Sequence, residues 1–324
     1  MLIKRLQGWE LPEALATPEA AFLDRRALLA GTAATGLSIL AARRAWADEM
    51  KDPTADLYPA KRNDKFVPGR DISPEAVTSK YNNFYEFGSQ KEISDAAQAL
   101  KIRPWTVKIG GLIDKPIEIA FDDLVRKMPL EERVVRHRCV EAWAMVVPWT
   151  GFPMTELVRL AAPQSGAKFV RMETFTNPEV AHGQQQDWYP WPYVEALTMA
   201  EATNPLAFMV TGAYGKPLAK QFGAPLRVHL PWKYGFKSVK SIVKIDFVAN
   251  RPHTFWETIG PDEYGFWANV NPAVPHPRWS QASERVMGTG NWWSAKSQPT
   301  VIFNGYGEWV ADMYKGLEGE KLWT

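Results

Sequence analysis

The sequence predicts an α+β fold: mixed β-sheets joined by short helices and many fixed loops. Three observations carry that expectation. Strand-like and helix-like segments are interleaved without a βαβ rhythm. No repeat, low-complexity tract or long linker divides the chain. The 25 prolines are spread across the connections, where a fixed φ favours defined turns.

The elements follow in order. Asp48 to Ala76 is polar and contains prolines, and reads as an extended lead-in. Trp105-Thr106-Val107-Lys108-Ile109 alternates and ends at Gly110-Gly111, a strand followed by a turn. Ile117 to Ile119 reads as its partner and Asp122 to Lys127 as a short helix. Glu132 to Cys139 is extended again. Met154 to Ala162 is an amphipathic helix opened near Pro153. Further strands are expected at Phe169 to Met172, Leu226 to Leu230, Ser241 to Phe247 and Thr300 to Phe303. Residues 77–324 are expected to form a single domain.

The amino terminus reads as an address. Arg25 and Arg26 directly precede an apolar stretch from Ala27 to Ala42. That stretch is too short and too rich in Ala, Gly and Thr for a comfortable membrane span. Ala45-Trp46-Ala47 supplies an A-x-A cleavage site before Asp48. The pattern resembles a twin-arginine signal over residues 1–47. Twin-arginine export moves folded proteins, so the expectation is a periplasmic enzyme carrying a cofactor inserted before export.

The chain has 324 residues, 46% of them hydrophobic and 12% aromatic, ample for one large core or two small ones. Formal net charge is +2. The six basic and four acidic residues that precede Asp48 account for it, leaving 32 of each sign in the body. A neutral body excludes the strong basic excess that a nucleic-acid-binding surface needs.

Cys139 is the only cysteine, so no disulfide forms within the chain. It lies in Arg136-His137-Arg138-Cys139-Val140-Glu141-Ala142-Trp143. In a strand, Val135, His137 and Cys139 share one face and Arg136 and Arg138 the other. The two arginines are expected to favour the thiolate. Three readings stay open from the residues alone: a buried structural cysteine, a Cys-His nucleophile using His137, His182, His229, His253 or His276, and a metal ligand. Zinc is disfavoured, because no second cysteine and no closely spaced histidine pair completes a site. One thiolate suffices where a cofactor brings its own sulfur.

Several stretches together resemble the molybdopterin-binding family that contains sulfite oxidase, and within it the methionine-sulfoxide-reductase branch. They include Tyr81-Asn82-Asn83-Phe84-Tyr85-Glu86-Phe87, Arg138-Cys139-Val140-Glu141-Ala142-Trp143, Gly223-Ala224-Pro225-Leu226-Arg227 and Pro231-Trp232-Lys233-Tyr234-Gly235-Phe236-Lys237. Asp262-Glu263-Tyr264-Gly265-Phe266 and His276-Pro277-Arg278-Trp279-Ser280-Gln281 extend the likeness almost to the end.

That resemblance implies a sulfite-oxidase-type fold and a Mo-molybdopterin cofactor, with Cys139 as the protein's thiolate ligand to molybdenum. It implies phosphate contacts from Arg227, Ser238, Val239 and Lys240, where an arginine fork suits phosphate geometry. It implies pterin contacts from Asn82, Tyr85, Glu86 and Thr174, and Asn83 as a second residue lining the metal pocket. Phe222 stands where the family commonly has Asn. The implied activity is reduction of methionine sulfoxide in oxidised periplasmic proteins, with electrons from a haem-containing inner-membrane subunit. Glu141 is the candidate proton donor, on the face of Cys139 if the segment is extended. Trp143 and Trp188-Tyr189-Pro190-Trp191-Pro192 are candidates for an apolar rim. Alternatives are a sulfite-oxidase-like enzyme acting on another S- or N-oxide and, from the 15 tryptophans, a carbohydrate-binding module.

Overall fold

Two mixed β-sheets carry the fold. The computed structural model describes residues 52–289 and 295–324. The signal expected over residues 1–47 lies outside the described residues. The strands are β1 (Thr106–Gly111), β2 (Ile117–Ala120), β3 (Glu131–Arg138), β4 (Trp143–Pro153), β5 (Phe169–Thr174) and β6 (Val194–Thr198). They continue with β7 (Phe208–Ala213), β8 (Lys216–Pro217), β9 (Arg227–His229), β10 (Ile242–Val248), β11 (Ser283–Val286) and β12 (Ser297–Pro299).

The first sheet has the order β2-β1-β10-β5-β6, with β1 and β10 parallel and the other pairs antiparallel. Strands β1 and β5 alternate: β5 buries Val170, Met172 and Thr174 and turns Phe169, Arg171 and Glu173 to the other face. That is the signature of a sheet with one covered face. The second sheet runs β12-β11-β4-β7-β8, with β3 also on β4 and β9 also on β7. Its centre, β4 and β7, is buried almost throughout. Gly151 lets these two backbones close up, since a Cβ there would lie 2.0 Å from the Met209 carbonyl oxygen. From Pro53 onward the described chain is one compact unit.

The α+β class agrees with the sequence reading, as do β1, β2, β3, β5, β9 and β10 and a short helix at Phe121–Arg126. Met154–Ala161 is the expected helix, burying Met154, Leu157 and Ala161 and ending at Ala162 with φ 46°. Two expectations need correction. Thr300 to Phe303 is not a strand. Phe303 and Asn304 take φ of 50° and 55°, the left-handed region, while the short strand lies just before, in β12. Two anchors impose that turn: the Phe303 ring stacks on Tyr314 at 5.6 Å, and Asn304 donates to the Pro231 carbonyl at 2.8 Å. The second correction concerns the strands the sequence reading left unassigned, β6, β7, β8 and β11 and above all β4. A continuous apolar run interrupted by Pro148 and Gly151 has no period of two to reveal it.

Residues 53–76 lie against the second sheet. The Asn63 N–H donates to the Glu132 carbonyl at 2.8 Å and the Ser73 N–H to that of Val146 at 2.9 Å. Three cations on or near the strands are withdrawn from water with a carboxylate each. Lys233 meets Glu201 at 2.5 Å, Lys237 meets Glu195 at 2.5 Å, and Arg138 meets Glu284 at 2.9 Å. Methionine is treated as core material: Met145, Met154, Met172, Met209 and Met287 are buried, while Met128, Met199 and Met313 are partly covered.

Candidate active site

A cavity of about 900 Å³ opens between the ends of these sheets. Cys139 lies on its wall, buried, immediately after β3. Residues 139–143 are a hairpin loop rather than the expected extended segment. The Cys139 N–H donates to the Trp143 carbonyl at 2.9 Å, and that of Ala142 to the Cys139 carbonyl at 3.1 Å. Ala142 takes φ 63° to close it, a conformation that costs a non-glycine residue roughly 1–2 kcal/mol. The turn nevertheless brings Glu141 back to the thiol. Its N–H donates to Sγ at 3.5 Å, and its Oε2 lies 3.8 Å from Sγ.

Around Sγ the polar contacts form a closed set. Asn83 donates from Nδ2 to Sγ at 3.4 Å and to Glu141 Oε2 at 3.2 Å. Trp143 Nε1 donates to the same oxygen at 2.9 Å. Lys91 donates to Glu141 Oε1 at 2.8 Å, and also to Asn83 Oδ1. Lys91 belongs to no motif quoted above, and only the folded loop reveals it. The Asn82 N–H donates to the Lys91 carbonyl at 3.1 Å, so the chain from Asn82 to Lys91 closes on itself beside the thiol.

The electrostatics correct one expectation. Burial first, and the charge of Glu141 second, push the Cys139 thiol up to about 12; Lys91 and Arg138 offset this only in part. Arg138 cannot do more because its guanidinium is engaged by Glu284. Burial raises the Glu141 carboxyl, but Lys91 and the hydrogen bonds from Lys91, Trp143 and Asn83 outweigh it. The group therefore lies below its ordinary value. Glu141 is thus ionised at neutral pH and holds no proton of its own to donate.

The far wall is cationic. Arg227 on β9 is buried and donates to the carbonyls of Phe222 at 2.9 Å, Ser238 at 3.2 Å and Val228 at 3.3 Å, with no carboxylate in reach. Burial lowers its pKa to about 10. Lys240, partly covered, has its ammonium 5.5 Å from the centre of the Phe84 ring. Burial and then Arg227 push Lys240 down, while burial pushes the nearby Glu86 up. His137, which lines the same cavity, has its Nδ1 3.3 Å from Nε2 of His229. Burial holds His137 near 3 and His229 well below 6.5, so both imidazoles are neutral.

The structure brings Asn82, Asn83, Tyr85, Glu86, Cys139, Glu141, Arg227, Ser238, Val239 and Lys240 onto this one cavity. Thr174 stands behind the wall, its hydroxyl donating to the Lys240 carbonyl at 2.9 Å. The expected rim is only partly there. Trp143 and Tyr189 line the cavity, whereas Trp188 is 68% exposed and Trp191 packs on Phe255. None of the five histidines hydrogen-bonds Cys139, which leaves the Cys-His nucleophile without a partner among the described contacts.

A buried thiol and, on the same cavity, an arginine and a lysine held without a carboxylate salt bridge suit a large anionic cofactor. The chain belongs to the molybdopterin-binding oxidoreductase family. Residues 95–256 match the family model described as oxidoreductase molybdopterin binding domain. The chain is 46% identical, over 332 aligned positions covering 99% of each sequence, to the protein-methionine-sulfoxide reductase catalytic subunit MsrP of Burkholderia mallei (strain ATCC 23344). Among solved structures, the sulfane dehydrogenase SoxCD of Paracoccus pantotrophus aligns with TM-score 0.40 and 16% identity, over 47% of this chain and 40% of that one.

The residues present fit that cofactor. A molybdopterin phosphate needs buried positive charge with spare donors, and Arg227 and Lys240 offer it without a carboxylate salt bridge. The fold also keeps the approach to them narrow. At Gly223, with φ 97°, a Cβ would meet the Lys240 side chain at 2.5 Å.

Proposed function

We propose that this chain is the catalytic subunit of a molybdenum-dependent reductase that returns methionine sulfoxide in oxidised proteins to methionine. The observation that carries the reading is the pairing of Cys139 with the Asn83–Glu141–Lys91 contacts at one end of the cavity and the cations at the other. Similarity to the Burkholderia protein supports the substrate. Arg227, Ser238, Val239 and Lys240 hold the phosphate in this reading, while Asn82, Tyr85 and Glu86 flank the pterin. Cys139 ligates molybdenum through its thiolate. A thiol pushed up to about 12 gives up its proton near neutrality only to a strong Lewis acid.

When bound, the cofactor supplies the two-electron couple and the site that takes the sulfoxide oxygen. The protein does the rest. Sulfoxide reduction consumes two electrons and two protons and yields thioether and water. Being ionised at rest, Glu141 relays protons: it takes one from water at the cavity mouth and passes it on at Oε2, the atom beside Cys139. Tyr81 and Trp143, edge to face at 5.3 Å, give the methionine side chain apolar surfaces to lie against. The Glu141 charge disfavours an anion such as sulfite beside the thiolate.

Export by the twin-arginine route to the periplasm belongs to the same reading, as does a haem-containing inner-membrane electron donor. No helix among the described residues is long and apolar enough to cross a membrane. Replacing Arg25 and Arg26 by lysine leaves active, uncleaved enzyme in the cytoplasm; periplasmic arrival at the normal rate would disprove the route. The decisive test is molybdenum content together with sulfoxide-dependent oxidation of a reduced dye. Protein purified with its cofactor machinery that carries no molybdenum, or leaves the dye reduced, overturns the function.

A further inference from the structure

We propose that Lys91 is a positioning residue that fixes the polarity of the Asn83 amide and the orientation of the Glu141 carboxylate beside Cys139. The inference rests on the function proposed above and adds a residue to its machinery.

The geometry leaves little freedom. An ammonium only donates, so the Asn83 atom facing Lys91 Nζ is Oδ1. The amide is planar, which turns Nδ2 toward Cys139 Sγ at 3.4 Å and Glu141 Oε2 at 3.2 Å. Glu141 Oε2 favours the same choice from one side of the amide, and Lys91 enforces it from the other. The flipped amide would aim a carbonyl lone pair at the sulfur and at a carboxylate. Lys91 also lies 2.7 Å from Glu141 Oε2 and 2.8 Å from Oε1, spanning both oxygens, while Trp143 holds Oε2 from another side at 2.9 Å.

Lys91 is itself held in place. Its carbonyl accepts the Asn82 N–H at 3.1 Å, so the backbone carrying the ammonium is tied to the residue preceding Asn83. Its side chain is 19% exposed, and it does not line the cavity. It therefore touches neither substrate nor cofactor and acts through Asn83 and Glu141. A thiolate and a carboxylate side by side would place two negative charges at one spot, and Lys91 is the cation in direct contact with the set.

The test uses holoenzyme carrying Lys91→Met, which keeps the stem and loses charge and donors, and Lys91→Arg, which keeps both. Molybdenum per protein, the visible thiolate-to-metal absorption band, kcat and KM for a methionine sulfoxide peptide are measured beside wild type. Lys91→Met is expected to retain molybdenum and KM, shift the band and lower kcat about 10- to 100-fold, the usual effect of losing a residue that orients a metal ligand's surroundings. Lys91→Arg is expected to restore most of both. Adding Asn83→Ala is expected to cost less in Lys91→Met than in wild type, because the two act as a unit. Lys91→Gln gives the same readings should Lys91→Met not fold. A loaded Lys91→Met enzyme with wild-type kcat and band overturns the proposal. So does a loss of kcat that merely tracks lost molybdenum while the band of the loaded fraction is unchanged. Wild-type protein without molybdenum or turnover instead fails the proposed function, so the two failures are told apart.

Discussion

The protein withdraws cations from water in two different ways. In the core, Lys233, Lys237 and Arg138 each meet a carboxylate within 2.9 Å, with side chains essentially free of solvent contact. On the cavity wall, Arg227 finds carbonyl oxygens and the face of Trp149 at 5.1 Å, and Lys240 the Phe84 ring and the burial-raised carboxyl of Glu86. An unpaired buried charge costs several kcal/mol, so the contrast is informative. The core completes its own electrostatics, whereas the wall leaves the missing negative charge to a ligand.

The largest effect is expected at the thiol end of the wall. Cys139→Ser should abolish turnover, since a hydroxyl is a poor substitute for a soft thiolate on molybdenum. A folded variant with near-normal sulfoxide reduction removes the ligand assignment. Next come the cations themselves. Lys237→Met strands Glu195 and should cost roughly 3–5 kcal/mol of stability. Arg227→Met strands no anion; the cofactor-free protein should melt near wild type while cofactor retention is lost. Equal destabilisation by both in thermal melts would erase the distinction between core and wall.

Glu141→Gln should keep molybdenum and KM but lower kcat by about 10²–10⁴-fold. Because the carboxyl lies below its ordinary value, the wild-type rate should fall only as pH drops through that low range. The variant should lose this acidic limb, and an unchanged kcat–pH curve takes Glu141 out of the mechanism. Per unit of pH, the smallest effect concerns stability. His137 and His229 are neutral when folded, while the unfolded chain protonates below about 6.5. The unfolded state then binds more protons, so stability falls as pH drops below that value, by about 1.4 kcal/mol per unit for each imidazole. For His137 the loss continues to its folded value near 3. His229→Gln in cofactor-free protein should flatten the slope of denaturant midpoint against pH.

Much of this was legible in the chain because the signals are local. Alternating burial exposes β1 and β5, and the spacing of Met154, Leu157 and Ala161 exposes their helix. The residues quoted for the family resemblance gather on one cavity, with Thr174 just behind it. What stayed hidden is what depends on the turn and on distant partners. The period-two argument for Glu141 placed it beside Cys139 for a reason that does not hold, since the left-handed Ala142 makes a loop there. The arginines flanking Cys139 promise a low thiol pKa until Glu284 is seen to engage Arg138. Lys91 carries no sequence signal, because its role exists only once the loop from Asn82 closes. Phe222 remains apart: it lines the cavity and lends its carbonyl to Arg227, and nothing in the structure explains a phenyl ring at that position.

The covered methionines bear on how long such an enzyme lasts. A protein that repairs oxidised methionine works where oxidants reach sulfur, and its own thioethers are chemically the same target. Turning a core methionine into its sulfoxide would put a polar oxygen among apolar neighbours and loosen the packing. None of the eight methionines among the described residues is exposed. Among the described residues the thioethers are thereby shielded from becoming the enzyme's own substrate, and oxidation of the five buried ones waits on an opening of the core.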